Sequence, residues 1–422
     1  MTAGTHRAAI VEFDHVTKRY DDVRRKKGAA PTPGAVNDLS LTVPAGKICV
    51  LVGPSGCGKT TTLKMVNRLI EPTGGLIRID GVDIMSREVT ELRRSIGYVI
   101  QQVGLFPHQT IAENVATVPR LIGWPRERQR ARAEELLALV GLEPAKYRDR
   151  FPSQLSGGER QRVGVARALA VDPPIMLMDE PFGAVDPIVR DHLQNEFLRI
   201  QENLAKTILF VTHDIDEAIK MGDLVAVFQD GGIVAQFGTP AEILSNPASA
   251  FVARFVGADR GLKRLALNKV GDLPLVPPAT TKVGDVVADA RHRAAAHPFP
   301  YLLLLDDADR PIGWIHPDQI PATGTIAEGL PDVVPPIVNR RTTLKDALSM
   351  MLDADVQAAI VVDRTGAAQS LITIEDVMLL MRAGEHGPSY EVADDEAGEV
   401  RPDAAAVGPS GDGDVPTIAA EA

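Results

Sequence analysis

The segment GPSGCGKT, Gly53–Thr60, restricts the fold more than any other part of the chain. It fits the phosphate-binding pattern G-x-x-x-x-G-K-[ST] at every position. The apolar run 48–52 before it predicts a buried strand, and the spacing of apolar residues in 61–70 after it predicts a helix. A glycine-rich turn between a strand and a helix N-terminus surrounds phosphate groups with backbone N–H donors. The first part of the chain is therefore expected to be an α/β nucleotide-binding fold.

The residue types of this loop predict separate roles around a triphosphate and its magnesium ion. The ammonium of Lys59 would reach the β- and γ-phosphates, and the hydroxyl of Thr60 would bind Mg²⁺. The other expected contacts to ATP are Gly53, Pro54, Ser55, Gly56, Cys57, Gly58 and Thr61. The alternative is a glycine-rich turn that matches the pattern by chance, and further motifs downstream argue against it.

The composition of the 422 residues limits the partners. Lys and Arg number 45 against 56 Asp and Glu, so the net charge is −11 and nucleic acid is not expected as the main partner. The two cysteines, Cys49 in the predicted strand and Cys57 in the loop, argue against a structural disulfide and for a reducing cytoplasm. No apolar run approaches the ~18 residues of a membrane span, and the N-terminus lacks a signal-peptide layout. Any membrane association is therefore expected to go through a partner protein.

Residues 1–260 alternate short apolar runs with helical stretches, which is typical of an α/β domain with a mostly parallel sheet. The strand candidates are 48–52, 96–100, 175–178, 207–211 and 224–228. Residues 102–170 have a largely helical pattern, with the charged amphipathic stretch 126–140 at their centre. We expect a helical subdomain inserted into the sheet domain there.

The sequence beyond residue 260 predicts a linker that is followed by an internal repeat. Glycine and proline indicate an irregular linker over 261–278. Residues 279–383 contain an internal repeat at an offset of 57 positions, in which LLLLDDADRPIGWIHPDQI from Leu302 aligns with AIVVDRTGAAQSLITIEDV from Ala359. Each copy predicts helix, strand, tight turn, strand and helix. The alternative is a coincidental match of two βα units.

The last segment, 384–422, is acidic. It has ten acidic residues against the single base Arg401, and Pro, Gly, Ala and Ser fill most of the rest. Such a composition buries too little apolar area to offset the entropy of ordering, so we expect a disordered tail. A functional acidic tail is the alternative to a plain solvated one.

The run IMLMDEP, 175–181, predicts a strand that ends in two acids. Asp179 would hold Mg²⁺ through water, and Glu180 would lie beside the γ-phosphate and polarise the attacking water as a general base. The alternative is a strand that ends in solvated carboxylates, which the phosphate loop upstream makes the weaker interpretation.

The run LSGGERQ, 155–161, predicts the start of a helix that exposes backbone donors to an anion, at Ser156, Gly157 and Gly158. A simple N-cap formed by Ser156 is the alternative. It does not explain why two glycines, which are poor helix formers, stand in the first turn.

Three further residues are candidates for contacts with the nucleotide. His213 follows an apolar strand in FVTHD and could bond the γ-phosphate and position the water, although a structural histidine is the alternative. Gln101, after the strand IGYVI, could reach both the metal and the attacking water. Tyr20 could stack on adenine or be an exposed strand aromatic.

Together these motifs resemble the ATP-binding subunit of ABC transporters over about residues 11–256. TTTLKMVNRLIEPT, IGYVIQQVGLFPH, LIGWP and DEPFGAVDP resemble, more narrowly, the ATPase of bacterial importers of glycine betaine, choline and related osmoprotectants. The repeat resembles a tandem CBS domain, of α+β class. The resemblance implies a P-loop NTPase fold of the ABC type with a helical subdomain, followed by a CBS pair.

The resemblance also implies partners and a location. Two copies would form a head-to-tail homodimer, with each ATP between the phosphate loop of one copy and Ser156, Gly157 and Gly158 of the other. Permease subunits in the membrane would dock beside 101–106 and hold the chain at the cytoplasmic face, and a substrate-binding protein would act indirectly. ATP hydrolysis with Mg²⁺ would energise uptake of a quaternary-amine osmoprotectant.

The sequence departs from the family pattern in two places. The connection 20–35 is long and contains RRKK at 24–27, which is a flexible hairpin tip or a contact for anionic lipid headgroups. The first CBS copy has His316 and Gln319 where adenosine-binding copies carry Ser or Thr and Asp, whereas the second keeps Thr373 and Asp376. Nucleotide binding by the pair is therefore not predicted.

Three other functions remain as alternatives: an importer ATPase for another small solute, a soluble ABC ATPase acting on nucleic acid or ribosomes, and a CBS sensor with a vestigial ATPase. Soluble ABC ATPases that act on nucleic acid or ribosomes usually have two cassettes or a long coiled coil. This chain has one cassette and too few residues between Lys59 and Leu155 for a coiled-coil arm. The intact catalytic motifs argue against the third.

Overall fold

The computed structural model describes residues 8–20, 35–100, 104–183, 186–299, 301–331 and 333–383. The insertion 24–27, Gln101 and the acidic segment 384–422 lie outside the described residues. The strands are β1 Val11–Lys18, β2 Val36–Val43, β3 Ile48–Val52, β4 Gly74–Ile79, β5 Val82–Asp83, β6 Ile96–Val99, β7 Ile175–Asp179, β8 Thr207–Thr212, β9 Leu224–Gln229, β10 Ile233–Gly238, β11 Thr280–Lys282, β12 Leu302–Leu305, β13 Pro311–Ile315, β14 Ile337–Val338, β15 Ala358–Val362 and β16 Ala368–Thr373.

The helices carry the rest of the regular structure. They are α1 Lys59–Val66, α2 Val89–Arg94, α3 Ile111–Val115, α4 Thr117–Leu121, α5 Arg126–Leu139, α6 Pro144–Tyr147, α7 Gly157–Ala168, α8 Pro187–Leu204, α9 Ile215–Met221, α10 Pro240–Ser245, α11 Ala250–Val256, α12 Arg260–Leu267, α13 Val287–Ala295, α14 Leu344–Asp353 and α15 Ile374–Ala383. Among the described residues, no helix combines the length and the apolar character that a bilayer crossing requires.

A six-stranded sheet forms the centre of the first part, in the order β10-β9-β3-β8-β7-β6. Strands β6, β7, β8, β3 and β9 run parallel, and β10 is antiparallel to β9. Every residue of β3, β7 and β8 is buried, because other elements cover both faces of this parallel part of the sheet. The five strands predicted from apolar runs are confirmed, each within one residue at its ends.

A second, antiparallel sheet in the order β2-β1-β4-β5 packs beside the first. Its inward residues share one core with one face of the central sheet, where Leu39, Ile77 and Leu51 are almost fully buried. The opposite face of the central sheet packs on helices between β6 and β7. There α5 contacts α3 and α7 through buried Leu136 and Leu137, in the stretch predicted to be largely helical.

The C-terminal part contains two three-stranded sheets with the same pairing. Strand β12 pairs with β13 through Leu302 and Ile315, and β15 pairs with β16 through Ala359 and Ile372, each pair shifted by the predicted 57 positions. The parallel pairs β11/β12 and β14/β15 repeat at the same offset. The two copies therefore have equivalent topology.

The copies differ where each was expected to end in a helix. The second copy ends in α15, but in the first a single 3₁₀ turn, Pro317–Gln319, takes this place. The expectation of a closing helix in the first copy is therefore wrong. Pro321 restricts the residue before it to extended backbone, and Gly324 follows at a φ of 103°, so the helix cannot continue.

The linker predicted over 261–278 is irregular only in its later part. Residues Arg260–Leu267 form α12, which packs against α9 and α10 on one side and α14 and α15 on the other. Leu265 of this helix is fully buried, whereas Leu262 is 47% exposed. The expectation of an irregular linker is therefore wrong for this stretch, because the apolar spacing within it outweighs the glycine and prolines that follow.

Candidate functional site

Three neighbouring parallel strands bring the predicted catalytic residues to one edge of the central sheet. In the register, Val52 at the end of β3 lies opposite Thr212 of β8, and Asp179 at the end of β7 lies opposite Val211 of β8. The phosphate loop, Glu180 and His213 follow directly after these strand ends. In open α/β sheets, ligands bind at the carboxyl ends of the strands.

The loop needs glycine at two positions for steric reasons. A Cβ on Gly53 would lie 2.3 Å from the carbonyl oxygen of Phe228, and one on Gly58 would lie 2.1 Å from that of Ala35. Gly58 also has a φ of 103°, in the left-handed region. By contrast, a Cβ on Gly56 would meet no atom within 4 Å. The loop is thus closely packed underneath and open above, as a cradle for an anion requires.

Lys59 begins α1, and its side chain folds back over the loop. Its Nζ donates to the carbonyl oxygens of Gly53 at 2.7 Å and Pro54 at 2.8 Å. The side chain is buried, and Nζ lies 3.7 Å from Sγ of Cys57. Burial raises the pKa of the Cys57 thiol, although the nearby ammonium opposes this. The loop therefore holds the Lys59 ammonium against two neutral carbonyl oxygens. A bound phosphate group can replace these oxygens as the partner of the ammonium.

Thr60 and Asp179 form the next part of the site. The Thr60 hydroxyl donates to Oδ1 of Asp179 at 2.9 Å. Burial raises the pKa of the Asp179 carboxyl, and the hydrogen bond from Thr60 opposes that shift. A hydroxyl and a carboxylate are hard oxygen donors of the kind Mg²⁺ prefers, so these residues fit the expected metal. On β6, burial and the charge of Asp179 raise the pKa of Tyr98 to about 12.

Glu180 and His213 lie next to each other beyond the strand ends. Oε1 of Glu180 is 3.3 Å from Nδ1 of His213. Glu180 has a φ of 44°, which is a strained conformation for a residue with a side chain, and its N–H donates to the carbonyl of Val211 at 3.0 Å. The Glu180 side chain is 22% exposed and that of His213 58%. The Glu180 carboxylate is thus fixed at the strand end, and its exposed part remains accessible to a reactant.

Helix α7 begins as the sequence suggests. Ser156 caps it: its hydroxyl accepts from the N–H of Glu159 at 3.3 Å, and its own N–H donates to Oε2 of Glu159 at 2.7 Å. Tyr147 donates to Oε1 of the same carboxylate at 2.6 Å, and this bond and those from Ser156 hold the pKa of Glu159 at about 2. A Cβ on Gly157 would meet no atom within 4 Å. The N-cap is present, and the glycine still faces open space.

The structure does not bring every predicted residue to the loop. The described hydrogen bonds of Ser156 stay within its own turn. Tyr20 is 56% exposed, with Nζ of Lys18 5.3 Å from its ring centre. Thr61 is half-buried in the first turn of α1.

Sequence reasoning missed Tyr147 as the group that fixes Glu159, because a pairing across 12 positions and two helices leaves no pattern in the sequence. The side chains that meet beside the phosphate loop were all indicated by motif positions: Lys59, Thr60, Asp179, Glu180 and His213.

Comparison with known proteins identifies the family. The family model described as ABC transporter matches residues 36–183, and that described as CBS domain matches 329–383. The osmoprotectant import ATP-binding protein OsmV of Salmonella typhimurium is 48% identical over 72% of this chain and 79% of its own length. The chain belongs to the ATP-binding proteins of ABC transporters. The resemblance based on sequence motifs is thereby confirmed.

Other relatives agree with this assignment. The glycine betaine/carnitine/choline transport ATP-binding protein OpuCA of Bacillus subtilis is 45% identical over 86% of this chain and 94% of its own length. The carnitine transport ATP-binding protein OpuCA of Listeria monocytogenes is 43% identical over 86% of this chain and 90% of its own length. These relatives are named as ATP-binding proteins for transport of glycine betaine, carnitine and choline, which agrees with the narrower motifs.

A solved structure supports the fold. CbiO1 of Clostridium perfringens, part of the ABC transporter complex cbiONQ, matches with a TM-score of 0.52 and 24% identity, over 61% of this chain and 94% of its own. The ABC ATPase fold with a C-terminal CBS domain is therefore confirmed. The CBS family model covers the second copy, and the equivalent pairing of the first copy comes from the structure.

Proposed function

We propose that this chain is the ATPase subunit of an ABC importer and that its hydrolysis of ATP drives uptake of a quaternary-amine osmoprotectant such as glycine betaine, choline or carnitine. The observation that carries the ATPase part is the meeting of Thr60 with Asp179, and of Glu180 with His213, beside the phosphate loop. The names of the relatives, aligned over most of the chain, support the solute class.

Each residue at this edge has a role that its contacts support. Lys59 exchanges its two carbonyl partners for the β- and γ-phosphates, and the backbone of 53–58 with Thr61 surrounds the phosphates. Thr60 and Asp179 hold Mg²⁺, with Gln101 as a further contact to the metal and the water. The ion supplies charge neutralisation at the phosphates when it is bound.

Glu180 acts as the general base. Its carboxylate accepts a proton from the attacking water, and the strained backbone at this residue fixes the direction of that carboxylate. His213, in contact with Glu180, orients the water and the γ-phosphate. Tyr20 stacks on adenine from its exposed position.

A second copy of the chain completes the site. Ser156, Gly157 and Gly158 contact the ATP that the phosphate loop of the partner copy binds, which accounts for two glycines in a helix start whose own N-cap is already formed by Ser156. The homodimer docks on permease subunits near 101–106 and is held by them at the cytoplasmic face of the membrane. A substrate-binding protein delivers the solute to the permease.

The domain boundaries are part of the same proposal. Residues 1–260 form the ABC domain with a helical subdomain over about 102–170, 279–383 form the CBS pair, and 261–278 connect them. In the second CBS copy, the Thr373 hydroxyl donates to the Asp376 carboxylate at 2.7 Å and accepts from the backbone N–H of Asp376 at 3.1 Å. In the first copy, the backbone N–H of His316 donates to Gln319 at 3.0 Å. These pairs satisfy one another, so a nucleotide is not part of the proposed function.

Uptake by reconstituted transporter tests the proposal. The chain, reconstituted in liposomes with its permease and the substrate-binding protein on the outside, is expected to accumulate radiolabelled glycine betaine, choline or carnitine only with internal MgATP, and the Glu180→Gln variant is expected to abolish accumulation. Glu202→Gln, an exposed position on α8, is the matched control and should transport normally. ATPase activity without accumulation of any quaternary amine would assign another small solute. Co-purification with nucleic acid and not with a membrane protein would contradict the importer.

A further inference from the structure

A small cavity lies between α7, which Ser156 caps, and α8. Its volume is about 20 Å³, and its walls include Gln161 and Val165 of α7, Leu193 and Phe197 of α8, and Phe182. The walls are mainly apolar, and Arg162 and Glu196 are the charged residues among them. Such a volume is close to the minimum that can hold a single water molecule.

Gln161 brings an unusual polar group to this cavity. The residue is 4% exposed, and its Nε2 has no hydrogen-bond acceptor among the described residues. Nε of the adjacent Arg162 is likewise buried without an acceptor, although Nη1 of the same guanidinium lies 3.4 Å from Oε2 of Glu196. Two adjacent buried donors at one joint are uncommon, because most buried polar groups in native proteins have a partner.

The cavity lies at the joint between two parts of the proposed catalytic machinery. On α7, Gln161 follows the turn that contains Ser156 and Gly158. Phe182 is two residues beyond Glu180, and its ring contacts the rings of Phe197 at 6.4 Å and Phe210 at 5.9 Å between centres. A shift of α7 against α8 would therefore change the surroundings of Gln161 and of the segment that follows Glu180.

A buried donor without an acceptor destabilises the conformation in which it is found, and a leucine of similar size would suit these apolar walls better. We propose that Gln161 is a positioning residue whose side-chain amide gains its acceptor at this joint when ATP binding moves α7 against α8. The amide then stabilises the ATP-bound arrangement relative to the nucleotide-free one. This inference rests on the proposed function, because it requires that ATP closes two copies around Ser156.

The test compares the effect of ATP on thermal unfolding with and without the amide. The full chain carrying Glu180→Gln, which retains ATP, is expected to unfold at a clearly higher temperature with MgATP than without. Adding Gln161→Leu should reduce that ATP-dependent gain by at least half and leave the nucleotide-free Tm unchanged or higher. In the chain with native Glu180, Gln161→Leu should lower kcat at least ~5-fold, the lower end of typical coupling between sites.

Two further variants separate the amide from the cavity. Val165→Ile fills the cavity from the same helix and keeps the amide, so it should retain the ATP-dependent gain. Gln161→Met repeats the loss of the donor with a more flexible side chain, in case the leucine variant does not fold. A Val165→Ile variant that loses the gain as fully as Gln161→Leu would overturn the proposal, because volume and not the amide would then be decisive.

The remaining outcomes are equally defined. An unchanged gain in Gln161→Leu overturns the proposal and indicates that a trapped water serves the amide in both conformations. If Gln161→Leu lowers the Tm equally with and without ATP, the proposal is also overturned, because Gln161 then stabilises both conformations alike. If Glu180→Gln alone shows no gain with MgATP, the proposed function has failed, and the inference falls with it.

Discussion

The hydroxyl of Thr60 donates a hydrogen bond of 2.9 Å to the carboxylate of Asp179, although 119 positions separate them. The contact exists because β3 and β7 are both paired with β8 and end at the same edge of the sheet. It joins the residue that closes the phosphate loop to the strand that positions Glu180. The proposed metal ligands, the proposed general base and the phosphate loop thus have one rigid support, which is what phosphoryl transfer requires of a protein.

Glu180→Gln should lower ATP turnover by at least ~10²-fold, the scale of losing a general base, and leave ATP binding intact. The amide keeps the shape of the side chain but cannot accept the proton of the attacking water. Turnover is measured by phosphate release and binding by equilibrium titration with labelled ATP. Glu202→Gln should leave both unchanged, and full turnover in Glu180→Gln would remove this residue from its role.

Thr60→Val should raise the Mg²⁺ concentration needed for half-maximal ATPase activity by roughly tenfold, because a hydrogen bond to a charged group is lost together with the proposed metal ligand. Thr60→Ser keeps the hydroxyl and should restore the wild-type requirement. The measurement is a magnesium titration of phosphate release at fixed ATP. An unchanged requirement in the valine variant would place the metal elsewhere.

Tyr147→Phe should destabilise the protein more at neutral than at acidic pH. The pKa of Glu159 is lowered from its ordinary value of 4.5 to about 2, and the hydrogen bond from the Tyr147 hydroxyl is the largest cause of this shift. A depressed carboxyl pKa contributes stability above the unfolded pKa, and that contribution is lost as the pH falls from about 4.5 towards 2. Thermal unfolding from pH 7 to 3 should therefore show the Tm deficit of Tyr147→Phe shrinking below about pH 4.5. A deficit that is constant over this range would mean that the hydroxyl acts without affecting the ionisation of Glu159.

Leu265→Ala should cost about 2–5 kcal/mol of unfolding free energy, as other large-to-small changes in a core do. This side chain is fully buried on α12, where the helix packs on α14 and α15. Leu262→Ala on the same helix is the control, since its side chain is 47% exposed and should lose little. Denaturant unfolding of the full chain measures both. Equal losses at the two positions would contradict the packing described for α12.

The sequence predicts those features that are set by local pattern. The runs of β3 and β8 are apolar throughout because both faces of the sheet are covered, so their limits could be located within a residue. Thr60, Asp179, Glu180 and His213 follow motif spacing, and the parallel register then brings these four to one edge. Here local sequence and tertiary structure agree.

What the sequence could not predict depends on orientation in space. The contact of Tyr147 with Glu159 requires two helices to meet at one angle, and no periodicity records that angle. In the first CBS copy, a 3₁₀ turn replaces the last helix because Pro321 follows it. The alignment of the two copies does not take the effect of this proline into account. The buried amide of Gln161 looks like an ordinary helix residue until its surroundings are known.

The most direct measurement of the central claim mixes two inactive chains. Ser156→Arg keeps its own phosphate loop, and Lys59→Ala keeps its own Ser156, so a mixed dimer contains one intact site built from both chains, whereas each homodimer contains none. The account predicts that ATP hydrolysis, absent from either purified variant, appears when the two are co-expressed and purified as a tagged heterodimer. No hydrolysis in a verified heterodimer, together with full activity of Ser156→Arg alone, would show that each chain completes its own site and would contradict the account.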